Sequence, residues 1–174
     1  NSNYADATRA LLTSFFGDYG LVVVDGDHPK LKRLFVDDLQ AEVQSQFVYN
    51  TILEANNLIK KQYRPKINAL TSNIFYFANS KRHKIIFDQE IFFTKDKIFT
   101  WSKFKLLKEI KQYPERFSPN VFLRPLYQER IMNNVIYIGG PSEISYWIQL
   151  PIMFKHREQS YPLLALRSHF LIFS

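Results

Sequence analysis

Cysteine is absent from all 174 residues. That excludes disulfides, thiolate metal sites and a cysteine nucleophile within this chain, and it suits a cytoplasmic protein. Glycine is scarce, with five residues, and none of them forms GxGxxG or a Walker A loop. GxSxG and HExxH are missing as well, so the usual sequence routes to a dinucleotide enzyme, a P-loop NTPase, a serine hydrolase or a zinc protease have no support. The four histidines, at 28, 83, 156 and 169, have no metal-ligand spacing, and no metal is expected. No stretch approaches the roughly 18 uncharged apolar residues a membrane span needs, so no membrane partner is expected. The first residues, "NSNYADATRA", lack both an initiator Met and a signal-peptide pattern, and the last, "LLALRSHFLIFS", are apolar. Both ends lead us to read the chain as a piece of a longer polypeptide.

What is present is a globular composition, 46% hydrophobic and 22% charged, with 16 Phe and 10 Tyr. The net charge of +7 is unevenly spread. Residues 60–111 hold 13 Lys and Arg against four acidic residues, whereas the rest of the chain is slightly acidic. A basic module set into a near-neutral scaffold is the expected arrangement.

Apolar residues from Tyr4 to Tyr19 recur at three- and four-residue spacing and predict an amphipathic helix. "LVVVD" (21–25) reads as a buried parallel strand. "GDHPKLKRLFVDDLQAEV" then opens a second helix, with Asp27 as its N-cap and Pro29 in its first turn. Strand, turn and helix in this order are elements of a βαβ layer. A third helical pattern runs through "FVYNTILEANNLIKK" and is limited by Pro65. The texture changes in "NIFYFANSKRHKIIFDQEIFFTKDKIFTWSKF", where short aromatic and β-branched runs are broken at Asn79-Ser80 and Lys95-Asp96, predicting a small antiparallel meander. A short helix follows, capped near Ser102 and ended before Pro114. "NNVIYIGG" is a strand, "SEISYWIQLPIMF" a helix broken near Pro151, and "PLLALRS" a last strand.

Three groups of residues invite chemistry. In the turn at Gly139, Gly140, Pro141, Ser142 and Glu143, glycine allows close backbone approach or a positive φ, and the helix start offers N–H groups to a ligand. Glu143 suits an ammonium ligand or a general base. The same turn also serves a plain strand-to-helix connection. In "RFSPNVFLRPLYQ" (116–128), Pro119 and Pro125 bracket Asn120 and Arg124 in what reads as a rigid loop. Such a loop presents Arg124 and Gln128 to an anionic or amide-bearing ligand, or buries Arg124 against Glu143 or Glu129. "DGD" (25–27) binds a ribose or metal at a strand end, or caps the next helix. The basic, aromatic insert admits single-stranded nucleic acid, but alternation turns part of its aromatics inward, and a solvated basic face accounts for the charge equally well.

"ALLTSFFGDYGLVVVDGDHPKLKRLF" (10–35), "YPERFSPNVFLRPLYQ" (113–128) and "YIGGPSEISYWIQL" (137–150) together resemble the bacillithiol biosynthesis cysteine-adding enzymes. "PKINALTSNIFYF" and "PLLALRS" match more loosely, and the resemblance covers essentially the whole chain in family order. It implies an α/β fold, a Rossmann-like, nucleotidyltransferase-like core piece interrupted by a small antiparallel β module. Residues 1–60 and 112–174 would be core and 61–111 the inserted connecting module. It implies a ligase that joins cysteine to glucosaminyl-malate in the last step of bacillithiol synthesis, cytoplasmic, active as a full-length protein and not as this piece. A longer chain would add a coiled coil and form a homodimer. ATP or another nucleotide would activate the acyl partner. The resemblance carries over no catalytic assignment, and Ser142 departs from the glycine expected in the family's turn. The candidates are Glu143 and Arg124 for catalysis, with Asn120, Gln128, Gly139, Gly140, Ser142, Tyr146, Trp147 and Arg167 for substrate binding. Two other readings stand beside this one: a non-catalytic scaffold piece, and nucleic-acid binding through the insert.

Overall fold

A computed structural model describes residues 3–60, 62–65, 67, 68, 70–168 and 170; His169 lies outside this set. Helix α1 (Tyr4–Phe16) begins where the Asn3 side chain accepts the Asp6 N–H at 2.9 Å. None of its residues is buried, and its apolar stripe, including Leu11 and Phe15, faces outward. Gly20 adopts φ 82° and turns the chain into residues 21–25. These form no strand, contrary to the expectation: no described strand runs beside them, and Val22 is 76% exposed. β-branched side chains favour an extended backbone, but a strand also needs a partner edge for its N–H and C=O groups.

The expected second helix is two helices, α2 (Pro29–Arg33) and α3 (Val36–Ser45), which break at Leu34 and Phe35 so that Phe35 enters the core. His28, not Asp27, caps α2: its Nδ1 accepts the Lys30 N–H at 3.3 Å. Gln46, at φ 52°, separates α3 from α4 (Phe47–Ile59).

The meander forms as expected. Strands β1 (Ile74–Ala78), β2 (Lys81–Asp88), β3 (Ile91–Thr94) and β4 (Thr100–Ser102) pair antiparallel in sequence order. Asn79 and Ser80 both take positive φ, which suits the right-handed twist of a two-residue hairpin. After α5 (Lys103–Gln112), a further strand, β5 (Phe117–Pro119), adds to β1 and gives the order β4-β3-β2-β1-β5. Tyr76, Phe99, Trp101 and Phe117 pack ring against ring beneath this sheet.

The proline-bracketed segment is a turn only at 120–122; from Leu123 it is helical. Arg124 to Gln128 lie in α6 (Leu123–Met132), where Pro125 occupies the first turn and its missing N–H costs no helical bond. Strand β6 (Ile136–Gly139) leads to α7 (Pro141–Trp147) and α8 (Pro151–His156), and β7 (Leu163–Leu166) returns parallel to β6. This is one βαβ crossover. Its inner face sets Tyr137 on Trp147, while Ile136, Ile138 and Leu163 on the outer face are more than half exposed. Among the described residues no helix is long and apolar enough to cross a membrane.

One hydrophobic cluster runs from Phe35 and Leu39 through Ile85, Trp101 and Leu126 to Trp147 and Phe154. Within it sits Asp38, 2% exposed. Its Oδ2 accepts from Arg130 Nε at 2.9 Å and its Oδ1 from Arg157 Nε at 2.7 Å. Nearby, Glu42 is equally buried and has no cationic partner among the described residues; it accepts from Val48 N–H at 3.1 Å and Asn73 Nδ2 at 2.7 Å. Burial pushes its carboxyl up to about 7 despite those two bonds.

Removing the shared carboxylate leaves two guanidinium groups without their anion. Asp38→Ala is expected to cost about 3 kcal/mol in urea unfolding, against about 0.5 kcal/mol or less for the exposed neighbour Asp37→Ala. Glu42 gives a pH signature. Its folded-state value lies above the ordinary 4.5, so the stability it contributes is complete below about 4.5 and is lost as the pH rises through about 7. Glu42→Gln should flatten stability across that window, as measured by unfolding midpoints at successive pH values.

Candidate functional site

A cavity of about 810 Å³ lies between the 25–27 turn, α2, α6 and the edge of the antiparallel sheet. The turn is held from within. Asp25 accepts the Asp27 N–H at 3.0 Å on one oxygen and Arg9 Nη1 at 2.9 Å on the other; these bonds, the backbone one foremost, hold its carboxyl below the usual range. The Tyr127 hydroxyl donates to Gly26 O at 2.6 Å, and burial pushes that phenol up to about 12. Tyr127 is therefore a fixed, neutral wall.

Three cations reach the cavity. Lys32 is 3% exposed; its Nζ donates to Phe117 O at 2.8 Å and pairs with Asp27 at 3.0 Å. An ammonium group has three donors, so one N–H remains for a ligand. Arg82 comes from β2. Its Nε donates to Ser118 Oγ at 2.9 Å, its Nη2 to Pro119 O at 2.8 Å, and its guanidinium lies 3.9 Å over the Phe75 ring. Arg124 comes from α6, and its Nη2 donates to the Tyr146 hydroxyl at 2.8 Å. Phe77, Phe117, Ile131 and Met132 supply apolar wall. Such a chamber can bind carboxylate or phosphate oxygens through Lys32, Arg82 and Arg124, and an ammonium or hydroxyl group through Asp25 and Asp27.

The residues expected from sequence divide into three places. Arg124 and Gln128 line this cavity. Ser142, Glu143 and Tyr146 line a shallower groove of about 430 Å³ beside Val121 and Pro141. Arg124 stands between the two, bonded to Tyr146 and 3.8 Å from Glu143. Glu143 accepts the Gly140 N–H at 3.0 Å and the Tyr137 hydroxyl at 3.1 Å. The Gly140 N–H above all, with Tyr137 and the charges of Arg124 and Arg167, keeps its carboxyl below the usual range, hence ionised. The N–H that opens α7 is thus already taken by the chain's own carboxylate, which is one half of a capping box. Gly140 has φ −70°. What the turn demands is space. A Cβ at Gly139 would meet Tyr137 Cε1 at 2.7 Å, and one at Gly140 would meet Arg167 Nη2 at 3.3 Å. Arg167 also donates its backbone N–H to Gly139 O at 2.9 Å, continuing the β6–β7 ladder.

Asn120 and Trp147 lie deeper. Trp147 is fully buried and stacks on Tyr137 with ring centres 4.0 Å apart. Asn120 gives its Nδ2 to Asn73 at 2.7 Å and receives the Phe122 and Leu123 N–H groups on its Oδ1, each at 3.0 Å. Lys32 and Arg82 carried no sequence signal as site residues. Each reads as one more charge in a basic stretch, and only the approach of β5 to both gives them a shared cavity.

Lys32 both lines the cavity and satisfies a β5 carbonyl, so Lys32→Met is expected to destabilise the chain by about 2 kcal/mol in denaturant titration.

The profile described as "Bacillithiol biosynthesis BshC, N-terminal Rossmann-like domain" matches residues 1–168. A protein of Flavobacterium johnsoniae named "Putative cysteine ligase BshC" is 38% identical over 172 residues, covering 99% of this chain and 32% of its own length. Proteins of the same name from Flavobacterium psychrophilum and Bacillus cytotoxicus are 39% and 35% identical over 168 and 158 residues. Those two cover 97% and 88% of this chain, and 32% and 29% of their own lengths. The chain thus spans about a third of the curated relatives it matches. With its mixed α/β layers, its parallel β6–β7 crossover and a match along nearly its whole length, the chain belongs to the bacillithiol biosynthesis BshC family, within the N-terminal Rossmann-like domain.

Proposed function

We propose that these residues supply part of the substrate chamber of a ligase that adds cysteine to glucosaminyl-malate, the last step of bacillithiol synthesis, in a longer cytoplasmic protein that acts as a homodimer. The observation that carries this reading is the cavity itself. Three cations from α2, β2 and α6 converge on one space beside two aspartates, in a chain whose relatives are named for cysteine ligation. Glucosaminyl-malate offers carboxylates to Lys32, Arg82 and Arg124. The cysteine ammonium group suits an ionised carboxylate, with Glu143 across from Arg124 as the candidate. Amide formation requires an activated acyl group; ATP or another nucleotide is the economical source, and the same cations would receive its phosphates.

In this reading Arg124 orients the anionic partner and Glu143 the amine. Only the chain's own groups are needed for that step: a guanidinium fixed by Tyr146 and a carboxylate fixed by Gly140 and Tyr137. Gln128 completes the wall of the cavity and Ser142 and Tyr146 that of the adjoining groove, while Gly139, Gly140, Trp147 and Arg167 hold the turn in place.

The test uses a full-length relative with the corresponding residues exchanged. Glu143→Gln and Arg124→Lys should each lower bacillithiol formation by about tenfold or more, the effect of one lost charged hydrogen bond, with the circular dichroism spectrum unchanged. Full activity in both variants would remove this pair from the site.

A further inference from the structure

Glu42 is an uneconomical residue for its surroundings. Val48 from α4 and Asn73 bond it, and the void beside it is lined by Thr71, Ser72 and Ile74 at the entry to β1, Ile85 and Phe92 from the sheet, and Val43 and Leu106 from α3 and α5. None of these described neighbours is charged or titratable. A buried carboxylate without a counter-cation weakens a fold, so packing alone does not account for it.

Its hydrogen bonds lead in one direction. Glu42 Oε1 accepts Asn73 Nδ2 at 2.7 Å, and Asn73, wholly buried, accepts Asn120 Nδ2 on its Oδ1 at 2.7 Å. The Asn120 N–H also donates to Asn73 O at 2.9 Å. Asn120 in turn receives the N–H groups of Phe122 and Leu123 on its side chain and that of Arg124 on its carbonyl at 2.8 Å. Three residues far apart in sequence, Glu42, Asn73 and Asn120, thus form one continuous chain from α3 to the first turn of α6. Each amide has its orientation dictated by the one before it: a carboxylate oxygen can only accept, so Asn73 must present its NH₂ to Glu42 and its carbonyl to Asn120.

We propose that Glu42 and Asn73 are positioning residues for Arg124, acting through Asn120 to set the first turn of α6 and hence the guanidinium between cavity and groove. The assignment rests on the reading of Arg124 as a site residue. Ionised Glu42 has an acceptor for each of its two donors. Neutral Glu42 keeps one good acceptor and turns a hydroxyl toward an N–H, which slackens the relay at its origin. The site would therefore be better ordered on the alkaline side of the Glu42 titration, at the expense of the stability gained on the acid side.

The experiment is a pH titration of the isotope-labelled chain by NMR. The side-chain amides of Asn73 and Asn120, the backbone amides of 122–124 and Arg124 Nε are expected to shift with one common midpoint near pH 7. Glu42→Gln should abolish that transition. Asn73→Ala should leave it at the Val48 amide, which bonds Glu42 directly, and remove it from 122–124. The proposal is overturned if the α6 amides of the wild-type chain do not follow the Val48 amide, a result that needs no variant to fold. It is equally overturned if they still follow it in Asn73→Ala. Failure of the site reading shows separately, as a relay that titrates while Arg124→Lys leaves a full-length relative fully active.

Discussion

Two arginines on one buried carboxylate hold the fold together. Asp38 belongs to α3, Arg130 to α6 and Arg157 to the end of α8, so a single side chain joins residues 92 and 119 positions apart. A carboxylate so enclosed tolerates its surroundings only while both cations remain, and each guanidinium, about a quarter exposed, gives up part of its water to reach it. The clamp fixes α6 against α3, and α6 brings Tyr127, Arg124 and Gln128 to the cavity. Lys32 to Phe117 O, Tyr127 to Gly26 O and Gln149 to Asn56 add further long-range ties around it. The chamber is thus a by-product of how distant helices are locked, not of any one local motif.

That origin explains what could be read from the residues alone. Elements defined by their own side-chain period, such as α1, α4 and α5, or by their own turn chemistry, such as the Asn79-Ser80 hairpin, were legible because the information is local. The 21–25 segment failed as a strand because β-branched composition says nothing about whether a partner edge is present. The segment around Pro125 reads as a loop in sequence because a proline in the first helical turn looks the same there as one that ends a helix. Arg124 and Gln128 were visible as site candidates by residue type. Lys32 and Arg82 were not, since their value lies in contacts to Phe117, Ser118 and Pro119, a short strand whose pairing with β1 crosses more than forty residues.

The glycine turn shows how a motif can be present for a different reason. Gly139 is required because Tyr137 and Ile144 press against the backbone where a side chain would stand, while at Gly140 the end of Arg167 would have to give by a few tenths of an ångström. The ring of Tyr137 that forbids a Cβ at Gly139 also stacks on Trp147 and donates to Glu143. Close packing of the turn and orientation of the carboxylate are one arrangement, and in this chain the "YIGGPSE" run fixes where the Glu143 carboxylate points.

The β6–β7 ladder has a consequence for how the chain behaves among its own copies. Parallel strands are ordinarily sheathed on both faces. Here the outer face carries Ile136, Ile138 and Leu163 into solvent, next to backbone groups that no described strand satisfies. Such an edge is a template, and it accepts further strands with little regard to their origin. Handling of the chain is therefore governed by dilution as much as by temperature: crowding its molecules offers each bare ladder a neighbour, and colloidal lifetime becomes a property of the sheet margin and not of the well-packed interior.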